Sequence, residues 1–368
     1  MSMNYTSWRD LPYRAIYTAD TEFYGDDADL KTPVCLVVRE LFSGTVQRYW
    51  QDELNAMLGA PFDTGPESLF VSYFAPAELG VFRQLGWELP QRIFDCFTEF
   101  ACETNGQDQT GGRSFLSALD FFGLGHIGSD TKADMRLVIL SGGPWDEQQK
   151  ANILDYCQSD VDGLACLFPA IVERWILNEQ RLGHALLRGR YMAAVSAIER
   201  NGIPIDVELF ERLQDNWSRI KLALIAEIDL KYGVYAQGSF KEQQFAAYLA
   251  ENNIPWPRLP SGRLQLDRDT FKAQAAVYTH LKPLHDLRVT LDELKLADIA
   301  VGKDGRNRAM LSPFRAKTGR NQPSTSRFIF GPSKWVRGLI RPRPGYSIAY
   351  LDWRSQEIAV AAARSGDQ

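Results

Sequence analysis

The sequence predicts an α/β domain over residues 1–183, followed by a mainly helical second half. Three observations carry this. Short apolar or β-branched runs are interleaved with helical stretches before residue 180. A long amphipathic pattern with recognisable caps follows residue 200. The formal charge also changes sign: residues 1–183 hold 13 Lys and Arg against 27 Asp and Glu, a balance of −14, whereas residues 184–368 hold 28 against 19, a balance of +9. A chain of 368 residues exceeds the roughly 250–300 that one core usually organises, so two or more domains are expected.

Ala15–Ala19, Val34–Arg39, Thr45–Trp50, Leu69–Tyr73 and Ile93–Asp95 read as strands. Pro76–Leu85, Gly112–Phe122 and Glu147–Phe168 read as helices with mixed faces, and this order of elements suggests an α/β layer architecture. The boundary is expected between Leu177 and Tyr191. Asn201-Gly202-Ile203-Pro204 is a turn, and Asp206 is placed to cap a helix. Its apolar positions Leu209, Leu213, Trp217, Ile220, Leu224 and Ile228 form one stripe. Ser239-Phe-Lys-Glu242 reads as a capping box opening another helix, closed by Asn252-Asn253 and Pro255.

No apolar run approaches the roughly 20 residues of a membrane span, and the N-terminus lacks a signal-peptide layout. Five cysteines without a C-x-x-C pair and four scattered histidines argue against a structural zinc site and for reduced thiols, so the cytoplasm is the expected compartment. Lys303–Arg343 holds eleven basic residues and one acid, Asp304. That stretch is either a polyanion-binding surface or a solvated basic loop. The acidic half repels nucleic acid unless cations intervene, which metal-binding carboxylates would explain; a merely soluble surface is the other reading.

Strand Ala15–Ala19 runs into Asp20-Thr21-Glu22. Residues i and i+2 of an extended segment point to one side, so both carboxylates can reach one cation. Tyr156 and Asp160 lie four apart on a predicted helix and share a face. Each pattern is common alone; their order and spacing make the signal specific.

In that order the residues resemble the tyrosine-type DEDD exonucleases, the proofreading domains of family A DNA polymerases. Asp20 and Glu22 match the first motif, D-x-E, and Tyr156 and Asp160 match the third, Y-x-x-x-D. The second motif falls on Phe74-Ala-Pro-Ala-Glu78, with Glu78 in place of Asp and Phe74 in place of Asn. Asp95 is either a substitute ligand or a structural acid at a strand end. The resemblance implies an RNase H-like domain using two Mg²⁺ or Mn²⁺ ions to release nucleoside monophosphates from DNA 3′ ends. It implies Asp20 bridging the metals, Glu22 and Asp160 completing one site, Glu78 serving the second, and Tyr156 orienting the attacking water.

The second half resembles the family's thumb and the first part of its α+β palm. Thr318-Gly-Arg320 resembles a T-G-R signature, and Trp335-Val-Arg337 falls where another DNA- or nucleotide-facing arginine is found. The resemblance makes Arg315, Lys317, Thr318, Arg320, Lys334 and Arg337 DNA-binding residues. Tyr350-Leu-Asp352-Trp-Arg-Ser-Gln-Glu357 resembles motif A. Strand Ser347–Leu351 would deliver Asp352 as a metal-binding aspartate, with Glu357 against a nucleotide ribose. Motifs B and C are not found, so these residues alone are not expected to polymerise. The partners implied are a DNA 3′ end, a primer–template duplex and a second chain carrying the remaining palm and fingers. Two alternatives stay open: a non-catalytic DNA-binding module, and an RNA exonuclease, against which the T-G-R and motif A segments argue.

Overall fold

The computed structural model describes residues 4–26, 28–107, 112–125, 129–293, 299–331 and 334–366. Strand β1 (Ala15–Tyr24) pairs antiparallel with β2 (Thr32–Glu40), and β2 with β3 (Val46–Trp50). After α1 (Gln51–Ala56), β4 (Ser68–Ser72) runs parallel to β1 on its other edge. Helix α2 (Pro76–Gln84) then returns the chain to β5 (Ile93–Asp95), parallel to β4. The spatial order β3-β2-β1-β4-β5 makes β1 the central strand. Helices α3 (Cys96–Glu103), α4 (Phe115–Phe121), α5 (Ser129–Leu140), α6 (Glu147–Trp175) and α7 (Glu179–Asn201) follow.

Period-two alternation divides β1 between two faces. On one face, Leu164, Leu167, Phe168 and Ile171 of α6 meet Ile16, Leu69, Val71 and Phe94, while Cys157 and Val161 meet Val34, Cys35 and Val37. On the other, Leu79 and Phe82 of α2 and Met192 of α7 pack with Ala19, Leu36, Phe70 and Ile93. Each fully buried Leu, Ile, Val, Phe or Met among them contributes about 1.5–3 kcal/mol. Gly189 sets the approach of α7: a Cβ there would meet the Ile93 carbonyl oxygen at 2.0 Å.

The strands expected in the first half are present, and three helices are added that the sequence does not mark: α1, α3 and α5. Helix α6 runs through Pro169 to Trp175 because Ile171 and Val172 continue its buried stripe. Helix α7 is unbroken across the expected boundary at 183/184 and buries Ala185 and Met192 beside the sheet.

Beyond α7 come β6 (Ile203–Pro204), α8 (Val207–Asp229), a hairpin of β7 (Tyr235–Ala236) and β8 (Ser239–Phe240), then α9 (Glu242–Glu251), α10 (Arg268–Val277) and α11 (Lys282–Glu293). Strand β9 (Arg306–Asn307) pairs with β6, and α12 (Gln356–Ser365) follows. Asp206 caps α8 as expected, accepting the Leu209 amide. Within its stripe, Leu213 and Trp217 join Phe210, Val336 and Leu339 in one cluster, whereas Leu209 stays exposed. The expected capping box does not form. Ser239 lies in β8 and Lys241 is the N-cap of α9, while the Glu242 carboxylate is drawn to Arg263 and the Leu264 amide. The carbonyls ending α7 are received by arginines: Arg308 donates to Arg200 O at 2.8 Å, and Arg306 donates to Asn201 O and Gly202 O. Residues 347–351 form no strand; Ile348, Tyr350 and Leu351 are exposed, and no other strand among the described residues pairs with them. An extended segment without a neighbour leaves its amides and carbonyls to water.

Candidate active site

The packing of α6 on β1 and β2 sets the third-motif residues beside the first. Ile16, Asp20 and Glu22 share one side of β1, as the alternation of a strand requires. Ligand atoms of Asp20, Glu22 and Cys157 lie within 4.8 Å of one another. The Cys157 thiol donates toward the Asp20 carbonyl oxygen at 3.3 Å and toward Asp20 Oδ2 at 3.4 Å. Asp160 lies one helical turn beyond Cys157 on α6, and both its carboxylate oxygens accept from Lys132 Nζ, at 2.6 and 2.7 Å. The same ammonium stands 4.9 Å from the Phe115 ring centre and 5.7 Å from that of Tyr156.

Glu78 lies in the first turn of α2, with only 2% of its surface exposed. Its Oε2 has no hydrogen-bond partner among the described residues. The chain enters α2 through Phe74, whose φ of 75° is left-handed, a conformation that Asn tolerates better than an aromatic residue. Asp95 holds this turn, accepting the Ala75 amide at 2.6 Å while capping α3 through the Thr98 amide at 2.8 Å. Asp95 is therefore a structural acid.

The carboxylates crowd one another. Burial, aided by the charge of Asp160, pushes the Asp20 carboxyl up to about 7. Burial and then Asp20 raise Glu22 well above the carboxylate range, and the same two causes raise Glu78. Burial raises Asp160 while Lys132 opposes it. Burial pushes the Tyr156 phenol far up, and Glu22, Asp160 and Asp20 add to this. Such a set favours a bound cation, because a cation relieves the repulsion among buried carboxylates. Hard carboxylate donors such as Asp20 and Glu22 suit a Mg²⁺- or Mn²⁺-class ion.

The second-half residues lie elsewhere. Arg315, Lys317, Thr318, Arg320, Lys334 and Arg337 are all exposed. Asn105 Nδ2 donates to Lys317 O at 2.8 Å, and Tyr191 of α7 donates to Asn321 Oδ1 at 2.9 Å, so the basic segment rests against the acidic half. Other bases of the stretch serve the fold: Arg308 pairs with Asp304, Lys303 with Asp29, and Arg341 with Asp206. Asp352 is exposed in an irregular segment, not at a strand end, and the Glu357 carboxylate is paired with Arg320. Lys132 and Cys157 were not in the sequence-derived set. Cys157 had a readable signal, since it lies three residues before Asp160 on the same helical face; Lys132 had none.

No protein-family model and no curated protein matches the chain. Among solved structures it is similar to the POL domain of Pol1 from M. smegmatis, a complex with DNA primer-template and dNTP, at a TM-score of 0.58 and 15% identity. The alignment covers 92% of this chain and 57% of that one. The chain thus shares the fold of a DNA polymerase I polymerase domain across most of its length, and spans a little over half of the other chain. Among the described residues no helix is long and apolar enough to cross a membrane.

Proposed function

We propose that residues 1–183 form a metal-dependent 3′→5′ DNA exonuclease of the RNase H-like kind, joined to a thumb and part of a palm of family A type. The observation that carries this reading is the packing of α6 against β1, which sets Cys157 among Asp20 and Glu22 and brings Tyr156 and Asp160 within reach of their charge, while Glu78 also feels the charge of Asp20. The sheet order, with β1 central and β4 and β5 parallel to it, supports it. Asp20, Glu22, Glu78 and Asp160 would hold two divalent ions. Such ions stabilise the attacking and leaving oxygens of a phosphodiester displacement. Tyr156, kept protonated by burial and its anionic neighbours, orients water by its hydroxyl and does not act as a base. The exposed bases from Arg315 to Arg337 bind the duplex phosphates. Exposed Tyr346, Ile348, Tyr350, Leu351 and Trp353 offer an apolar surface for a further contact.

The test is release of nucleoside monophosphates from labelled DNA in Mg²⁺ or Mn²⁺. Asp20→Ala should abolish release; digestion retained in that variant overturns the assignment. The bond between Lys132 and Asp160 favours a second reading, in which the site no longer takes two metals and the chain only binds DNA. Duplex binding without metal-dependent release would select that reading, and preferential digestion of RNA would select an RNA exonuclease.

A further inference from the structure

A cleft of about 190 Å³ opens between α2, α7 and residues 308–310, and none of Asp20, Glu22, Glu78, Tyr156 or Asp160 lines it. An apolar cavity of about 150 Å³ is enough to take up benzene, so this space suits a flat molecule of one or two rings. Phe23, Phe74, Val81 and Met310 give it largely apolar walls. Glu199 of α7 stands in the same wall. One of its carboxylate oxygens accepts the Leu311 amide at 2.6 Å, and the other makes no hydrogen bond among the described residues. The remaining charged groups of the wall have partners within the protein. Asp29 pairs with Lys303 and Arg308 with Asp304, Lys31 donates to the Gly25 and Asp26 carbonyls, and Arg200 donates to Gln84 Oε1 at 3.4 Å.

Gly80 is a second, independent observation. It lies inside α2 without a positive φ, where glycine is less favourable than alanine. A Cβ there would meet nothing within 4 Å, so neither backbone nor packing demands the glycine. Its missing side chain does keep one wall of the cleft open.

We infer that this cleft binds a flat, uncharged heteroaromatic amine of one or two rings, its ring held between the apolar walls and its amino N–H donating to Glu199. An N–H donor is the complement of a carboxylate oxygen without a partner, and hydrogen bonds to such a group are stronger than neutral ones. The walls hold Lys31, Arg200 and Arg308 against Asp29 and Glu199, a balance that does not favour a cationic ligand. A ligand touching α2, α7 and residues 308–310 together would stabilise their contact and raise the melting temperature.

The experiment is calorimetric titration of the full chain, free of metal and DNA, with 2-aminoquinoxaline and with quinoxaline, the same ring lacking the amine. Thermal melts accompany each titration. The amine should bind and raise the melting temperature, and quinoxaline should bind about 10-fold more weakly or less. Glu199→Gln keeps an oxygen for the Leu311 amide but turns an amide N–H₂ to the cleft, and it should erase the preference for the amine. Gly80→Leu should fill the cleft and abolish binding, and Gly80→Ala should raise the melting temperature while weakening it. Should Gly80→Leu fail to fold, Gly80→Ala and Glu199→Gln decide the question. No binding by wild type, equal affinity for the two probes, or binding unchanged in the Gly80 variants overturns the inference. Neither result bears on the exonuclease reading, which needs metal and DNA.

Discussion

From α5, Lys132 Nζ bonds both carboxylate oxygens of Asp160 on α6. The pair is largely shielded from water, with 18% and 16% of the two side chains exposed. Removing one partner of a shielded pair leaves the other charge uncompensated, typically at a cost of about 3–5 kcal/mol. Lys132→Met should therefore lower the melting temperature of the metal-free protein. It should also enlarge the rise produced by Mn²⁺, because no ammonium then competes for Asp160. A Mn²⁺-induced shift equal to wild type would show that the amine and the metal do not share that carboxylate.

Glu78 offers opposite effects on stability and chemistry. Its charge is disfavoured by burial and by Asp20, so its stabilising contribution is present at low pH and is lost as pH rises through its elevated folded value. Glu78→Gln should raise the stability of the metal-free protein at neutral pH. The same change should slow hydrolysis about 10-fold or more, as losses around metal sites commonly do. Glu78→Asp should stay active, and wild-type activity should be higher in Mn²⁺ than in Mg²⁺. Unchanged rates in Glu78→Gln would remove it from the ligand set.

Arg320 and Arg337 are both exposed, and the pairing of Arg320 with Glu357 is a surface contact that DNA can displace. Replacing both arginines with Gln should flatten the slope of log affinity against log salt by about 0.9 for each phosphate left without its cation. Fluorescence anisotropy with a labelled duplex at several salt concentrations reads this directly. An unaltered slope would move the DNA surface away from this segment.

Glu199, near the end of α7, is pushed up to about 7 by burial, with the Leu311 amide opposing that rise. A carboxyl raised in the folded state contributes stability below its unfolded value, about 4.3, and loses it as pH climbs toward 7. Wild-type protein should lose on the order of 2–3 kcal/mol from this group between pH 4.5 and pH 8. Glu199→Gln still accepts the Leu311 amide and should flatten that stretch of the pH–stability curve. Urea midpoints at both ends of the range test it.

What the sequence made legible followed from short periods. Alternation placed Asp20 and Glu22 on one side of a strand, and helical spacing placed Tyr156 and Asp160 on one face, so each pair could be read without knowing the packing. Lys132 could not be found this way, because its meeting with Asp160 depends on how α5 lies across the sheet. The expected strand at Ser347–Leu351 failed for a related reason: an apolar run makes a strand only when a neighbour supplies hydrogen bonds. The Ser239–Glu242 pattern was a false cap, since Ser239 lies in a strand and the Glu242 carboxylate is engaged by Arg263 and the Leu264 amide. Asp95 was legible only as an acid at a strand end; its hold on the Ala75 amide appears once β4 and β5 are side by side.

Helix α7 has 23 residues and is thus about 34 Å long. Midway along its length Gly189 presses the helix against β5, and at its far end Arg306 and Arg308 grip the final carbonyls. A rod fixed at two points cannot pivot independently at either. Arg308 and Ile93, two residues from the Asp95 that fixes the turn before Glu78, therefore rest on the same continuous helix. One helix thereby serves as the common support of the basic segment and of the strand beside the carboxylates.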